Sequence, residues 1–143
     1  MAKSELWWFP LRVLLKALGS FPVRRGEGDM VAFETAVGLV RAGGVMAMFP
    51  EGTRRRKGLH KKHVPRPHTG TVRIASAAEA PLVPAAIRGM DRLARLGPLR
   101  VAFGPSIPLD DLRDLDSFEA ARVGTERLWA EIQRLEAELA QAP

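Results

Sequence analysis

Glu51, Thr53 and Arg54 fall within four consecutive positions of the run Phe49-Pro50-Glu51-Gly52-Thr53-Arg54, and Arg55-Arg56-Lys57 adds three cations directly after it. A guanidinium presents a planar fork of donors that matches a phosphate or carboxylate through paired hydrogen bonds. A carboxylate three residues earlier accepts from a hydroxyl or orients a cation, Gly52 lets the backbone turn, and the Thr53 hydroxyl both donates and accepts. This set suits a phosphate-bearing ligand. The same residue types also make a plain solvated surface turn.

The element that must position them is the apolar run Val45-Met46-Ala47-Met48 leading into Phe49, bounded by Gly43-Gly44 and Pro50. A short apolar stretch between breakers predicts a buried strand over residues 45–49. The polar residues would then leave the strand at its carboxyl end, where ligands enter open α/β sheets.

Those six residues, 49–54, resemble the third sequence block of the glycerolipid acyltransferase family. Gly19-Ser20-Phe21-Pro22-Val23-Arg24-Arg25 is similar to the second block, closing on Arg25, and Pro81-Leu82-Val83-Pro84 resembles the fourth, a Val-Pro on a strand. The resemblance covers about residues 1–89. It implies acyl transfer from acyl-CoA or acyl carrier protein, a co-substrate with no further cofactor, to the free hydroxyl of lysophosphatidic acid or a similar lysolipid in phospholipid biosynthesis. By the same resemblance Arg25, Glu51, Gly52, Thr53 and Arg54 serve the acceptor phosphate, and Val83 and Pro84 lie near the acyl chain.

One family block has no counterpart. The base in this family is a His followed by four residues and an Asp, but the residues five positions after His60, His63 and His68 are Pro65, His68 and Arg73. The resemblance thus implies that the catalytic His and Asp lie upstream of Met1. Residues 1–143 would then be the carboxyl-terminal portion of an acyltransferase domain, inactive alone.

At 143 residues with 46% hydrophobic content, the chain suits one packed domain rather than a disordered segment. No cysteine is present, which excludes disulfides and thiolate sites and makes a cytoplasmic setting the default. The start does not read as a secretory signal, and no run of about 18 uncharged apolar residues spans a membrane. A net charge of +6 favours an anionic partner: a membrane surface, a phosphorylated substrate or nucleic acid.

In chain order, Pro10 and Gly19 bracket a predicted helix over residues 10–18. Trp7, Trp8 and Phe9, with the leucines that follow and Arg12 and Lys16 among them, suit either a bilayer interface or an ordinary core. Residues 22–25 read as a short strand or extended arm ending in Arg24 and Arg25. Asp29 then caps a predicted helix over residues 30–42, with Val31, Phe33, Val37, Leu39 and Val40 as its apolar face and Gly43-Gly44 as its stop. Residues 54–66 carry seven cations and no acid, with prolines that make a loop. Without interleaved aromatics the loop fits lipid or nucleotide phosphates better than nucleic-acid bases. His60, His63 and His68 stand in that cationic company at irregular spacing, which disfavours a metal.

Further on, residues 69–78 predict a helix, and residues 82–87 and 99–103 predict strands that extend the sheet. Asp116 and Glu119 start a last helix with Phe118, Ala121, Thr125, Leu128, Ile132, Leu135 and Leu139 on one side and an Arg122–Glu126 pair outside. That seam serves either a helix packed on its own sheet or a short coiled-coil dimer. The expectation is a single α/β domain, a mostly parallel or mixed sheet with helices on its faces, lacking its amino-terminal part. It would sit in the cytoplasm, peripheral on the inner face of the membrane, contacting an anionic membrane surface, with no nucleic acid and no metal. Two other classes remain: a non-catalytic peripheral lipid-binding protein and a basic nucleic-acid-binding module.

Overall fold

The computed structural model describes residues 2–3, 22–23, 30–51, 67–90 and 97–141. The chain divides into two compact units, Met1–Phe49 with Ala77–Ala80, and Pro50–Ser76 with Pro81–Pro143.

In the first unit, strands β1 (Ala2–Lys3) and β2 (Pro22–Val23) pair in parallel, Ala2 opposite Pro22. Helix α1 (Met30–Arg41) follows. It buries Ala32, Ala36 and Val37, positions four and five apart that share one helical face, whereas Val31 is exposed and Phe33, Leu39 and Val40 are half-buried. The expected broad apolar face is therefore a narrower stripe built on small residues. The helix stops where the glycines predict. Gly43 takes φ +85°, the Gly44 N–H donates to the Leu39 carbonyl at 3.0 Å, and the Gly43 N–H donates to Val40 at 3.0 Å. These two reverse bonds satisfy the last carbonyls and need a left-handed residue, which Gly supplies without strain. Arg41 Nη2 donates to the Ala77 carbonyl at 2.6 Å, placing a cation at the end of a second helix, where the backbone dipole favours it.

The strand predicted over residues 45–49 is absent. Residues 44–49 have no regular secondary structure and no ladder partner among the described residues, Val45 is 95% exposed and Phe49 79%. Apolar character sets a strand's side-chain preference, but a strand also requires a neighbour to take its N–H and C=O groups.

The second unit contains α2 (Gly70–Ala78), β3 (Ala85–Arg88), β4 (Arg100–Phe103), a 3₁₀ turn at Asp110–Leu112 and the long helix α3 (Ser117–Gln141). β3 and β4 pair antiparallel, Ala85 opposite Phe103 and Arg88 opposite Arg100, so these strands form their own sheet rather than prolonging one from residues 45–49. Both are shorter at their starts than predicted, and Leu82 makes an isolated bridge to Ile107 instead. Residues 83, 87, 101 and 103 are exposed, whereas Ala86 of β3 is buried and Arg100 and Ala102 of β4 are half-buried. After β3, Gly89 has φ +96°, and a Cβ there would run into the Pro98 carbonyl oxygen.

Val72 and Ala75 of α2, Leu82, Ile107 and the α3 residues Leu128 and Ile132 form the core, with Leu109 and Trp129 packed against it. Gly124 is what lets α2 and α3 approach: a Cβ there would come within 2.7 Å of Val72 Cγ1. Asp116 caps α3 through Oδ1, accepting from the N–H groups of Phe118 at 2.9 Å and Glu119 at 3.1 Å. The predicted seam is buried from Ala121 through Leu135, with the Thr125 hydroxyl donating to the Ala121 carbonyl at 2.6 Å; Phe118 alone stands out at 76% exposed. The seam is spent on the protein's own core, which favours the packed helix over the coiled coil. Arg122 bridges Glu119 and Glu126 on the outer face, as the spacing predicts. With helices, one parallel pair and one antiparallel pair, the fold class is α/β.

Candidate functional site

Of the residues whose chemistry points to a phosphate, Glu51 is described; Arg25, Gly52, Thr53 and Arg54, and the basic run through residue 66 with His60 and His63, lie outside the described residues. Glu51 is half-buried in the turn that Pro50 opens. The Pro50 carbonyl accepts a hydrogen bond from the His68 backbone N–H at 2.9 Å. Thr69 follows, and its carbonyl accepts the Arg73 N–H at 3.0 Å as α2 begins. The chain therefore leaves at Glu51 and returns at Pro67 to the point from which it left. Proline stands at both ends, Pro50 carrying the acceptor and Pro67 immediately preceding the donor, so φ is fixed on either side of the bond. The His68 side chain itself is exposed.

Val83 and Pro84 are adjacent in sequence but face opposite ways. Val83 is 50% exposed, whereas Pro84 is fully buried and its carbonyl accepts the Gly104 N–H at 3.0 Å. Of the two, Val83 is exposed at the surface and Pro84 is buried, with its ring against Gly104. No cluster of three or more His, Asp or Glu side chains suited to a metal exists among the described residues. Nor is any helix among them long and apolar enough to cross a membrane.

The hexapeptide was expected at the tip of a buried strand, but residues 45–49 form none, and the backbone at the start of α2 bonds to Pro50 within the hexapeptide. Sequence reasoning missed the bond to His68 because no periodicity links residues so far apart. The one available signal was the pair of prolines at positions 50 and 67.

The Acyltransferase family model matches residues 1–88. The chain belongs to the acyltransferase family. It is 33% identical over 147 aligned positions to the 1-acyl-sn-glycerol-3-phosphate acyltransferase of Bacillus subtilis strain 168, an alignment that covers 99% of this chain and 70% of that protein. No solved structure matches the chain. The family model ends with β3, a few residues past the last sequence block, and the relative carries the similarity onward through β4 and α3. Membership brings the chemistry of acyl transfer.

Proposed function

We propose that this chain provides the acceptor side of an acyl transfer from acyl-CoA or acyl carrier protein to the free hydroxyl of lysophosphatidic acid or a similar lysolipid. The observation that carries this proposal is the intact run 49–54 in a chain that belongs to the family and is 33% identical to a 1-acyl-sn-glycerol-3-phosphate acyltransferase. Arg54 and Arg25 bind the acceptor phosphate, Glu51 orients the acceptor through a hydrogen bond, Gly52 and Thr53 shape the turn, and Val83 lies beside the acyl chain with Pro84 supporting it. Positioning of this kind converts a bimolecular encounter into a local one and supplies much of the rate. The acyl donor is the only other small molecule required.

Attack on a thioester needs a proton acceptor held against the hydroxyl. No histidine here is followed by Asp at the family spacing, and His60, His63 and His68 lie in or beside a cationic loop. We place the base and its Asp in residues outside this sequence. A net charge of +6 and the neighbourhood of Trp7, Trp8 and Phe9 with Arg12 and Lys16 support a peripheral position on the inner, cytoplasmic face of an anionic membrane, where the acceptor resides.

The test is thiol release from acyl-CoA in the presence of 1-acylglycerol 3-phosphate. The 143-residue chain should give none above background, and a protein extended upstream by a His-x-x-x-x-Asp block should turn over. In that protein Arg54→Ala should lower kcat/KM for the acceptor by about 10- to 100-fold, the size of a charge-assisted phosphate contact, and Arg55→Ala much less. Turnover by the 143-residue chain that disappears in His68→Ala would overturn the proposal and make His68 the base.

A further inference from the structure

Burial alternates residue by residue along β3 and β4 and the positions that lead into them. Leu82, Pro84 and Ala86 are buried while Val83, Ala85 and Ile87 are exposed; Leu99, Val101 and Phe103 are exposed while Arg100, Ala102 and Gly104 are half-buried. The register sets Ala85 opposite Phe103 and Ile87 opposite Val101, so the exposed residues form one continuous face, and the opposite face packs on α3. A sheet face left to water is ordinarily polar. Here every outward residue is apolar, and all but Ala85 are large side chains between 45% and 73% exposed.

We propose that this face holds the acyl chain of the lysolipid acceptor, with Ile87, Val101 and Phe103 extending the contact begun at Val83; this rests on the acceptor reading given above. None of the outward side chains carries a charge or a hydrogen-bonding group, so a polar occupant would lose its water and gain no partner. Half-exposed side chains of this size offer on the order of a few hundred Å², below the roughly 800 Å² per partner of a stable protein interface. That area is too small to hold a second copy of the chain and suits a single alkyl chain. From Val83 to Ile87 the face runs about 13 Å, four rises of about 3.3 Å. Ala85, small and opposite Phe103, is its low point.

Calorimetric titration of the 143-residue chain with 1-acylglycerol 3-phosphates of increasing acyl length, kept below their micellar concentrations, reads this contact directly. Glycerol 3-phosphate, which has no acyl chain, sets the baseline. Affinity should rise by about two- to fourfold per methylene, the gain from removing part or all of one CH₂ from water. The double variant Ile87→Thr with Val101→Thr keeps β-branched residues on an exposed face and makes that face polar. It should cut the gain per methylene to well under about twofold and leave the baseline unchanged. The proposal is overturned if the native chain shows no gain per methylene, or if the double variant keeps the whole of it. A dimer that the double variant dissociates in sedimentation, with the gain per methylene intact, would overturn it too and give the face to a second copy. Arg54→Ala separates the underlying reading: it should weaken the baseline and every acyl form by one common factor. Normal binding throughout by Arg54→Ala would sink the phosphate assignment, whereas the gain per methylene judges the β3–β4 face.

Discussion

The run Val45-Met46-Ala47-Met48-Phe49 and the seam of α3 use comparable hydrophobic side chains, yet Val45 and Phe49 stand in solvent while Leu128, Ile132 and Leu135 are buried. The difference lies in what each element must obtain from elsewhere. A helix satisfies its own backbone hydrogen bonds, so α3 needs only one surface to lie on, and Val72, Leu82 and Ile107 provide it. A strand needs a neighbour for its backbone as well as cover for its faces. Among the described residues nothing supplies the first of these to residues 45–49. Hydrophobicity states what a segment gains by burial; a partner decides whether burial occurs.

The contrast is broken most directly by truncating one side chain from each region. Leu128 is 3% exposed and belongs to the core cluster with Val72, Ala75 and Ile107, so Leu128→Ala should cost about 2–5 kcal/mol from lost transfer energy and the cavity left behind. Val45→Ala should stay within about 0.5 kcal/mol, as surface changes do. Urea unfolding of the two variants measures both. Equal losses would mean that residues 45–49 are buried in solution.

Glycines sharpen the same comparison. Gly124 in α3 has no room: an added Cβ meets Val72 Cγ1 at 2.7 Å and Leu109 Cδ2 at 3.1 Å, and Val72 is only 1% exposed, so it is held by the core and cannot withdraw. Overpacking of this kind costs about 1–3 kcal/mol, which outweighs the roughly 1 kcal/mol that Ala gains over Gly in a helix. Gly38 in α1 is exposed, and a Cβ there has nothing within 4 Å among the described residues. Gly124→Ala should therefore lower the melting temperature and Gly38→Ala raise it. Two shifts of the same sign would refute the close approach of α2 and α3.

How far the fold was legible follows the same division. Each helix among the described residues matches its predicted span to within one residue at the ends checked by caps, because period, Asp116, Gly43 and Gly44 are local signals. The α3 seam was legible almost residue by residue; Phe118 failed because it precedes the first turn that reaches the core. Strand pairing was not legible, since the choice of β4 as the partner of β3 depends on contacts remote in sequence. The site divides likewise. The residue types of the hexapeptide were readable, and the family match agrees with the resemblance they carry, but the bond from His68 to the Pro50 carbonyl involves a backbone group that leaves no residue-type trace.

A smaller effect is expected at the α3 cap. Asp116→Ala removes the acceptor for two otherwise unpaired N–H groups at an exposed helix start and should cost about 1 kcal/mol. Asp116→Asn should recover most of that loss, because its side-chain oxygen accepts the same bonds; a failure of Asn to recover it would move the role of Asp116 from hydrogen bonding to charge. The urea midpoint decides between them.

Acid gives the smallest expected effect and separates the two regions once more, since residues 45–49 carry no ionisable side chain while α3 is lined with ion pairs. Hydrogen bonds from the Arg127 guanidinium hold the Asp111 carboxyl below its ordinary value, and Arg122 and Arg134 do the same for Glu119 and Glu131. A carboxyl whose folded value is depressed adds stability that is fully present above the unfolded value, near pH 4, and is lost as pH falls through the folded one. The contribution of these pairs should thus be level from pH 7 to about pH 5 and decline below about pH 4. Asp111 is the informative member. Arg127 reaches it across 16 residues with two bonds, at 2.8 and 2.6 Å, tying the 3₁₀ turn to α3, whereas Glu119 and Glu131 pair within the helix itself. Local pairs persist in any residual helix of the unfolded chain and so discriminate less between the two states. Asp111→Asn should therefore flatten the acid decline more than Glu119→Gln, with urea midpoints at pH 7, 5, 4 and 3 as the measurement. Asp111, Arg122 and Arg134 are exposed and Glu119, Arg127 and Glu131 half-buried, and added salt should shrink the difference. If Glu119→Gln flattened the decline as much as Asp111→Asn, sequence-local and long-range pairs would be equivalent, and the link between the 3₁₀ turn and α3 would carry no special weight.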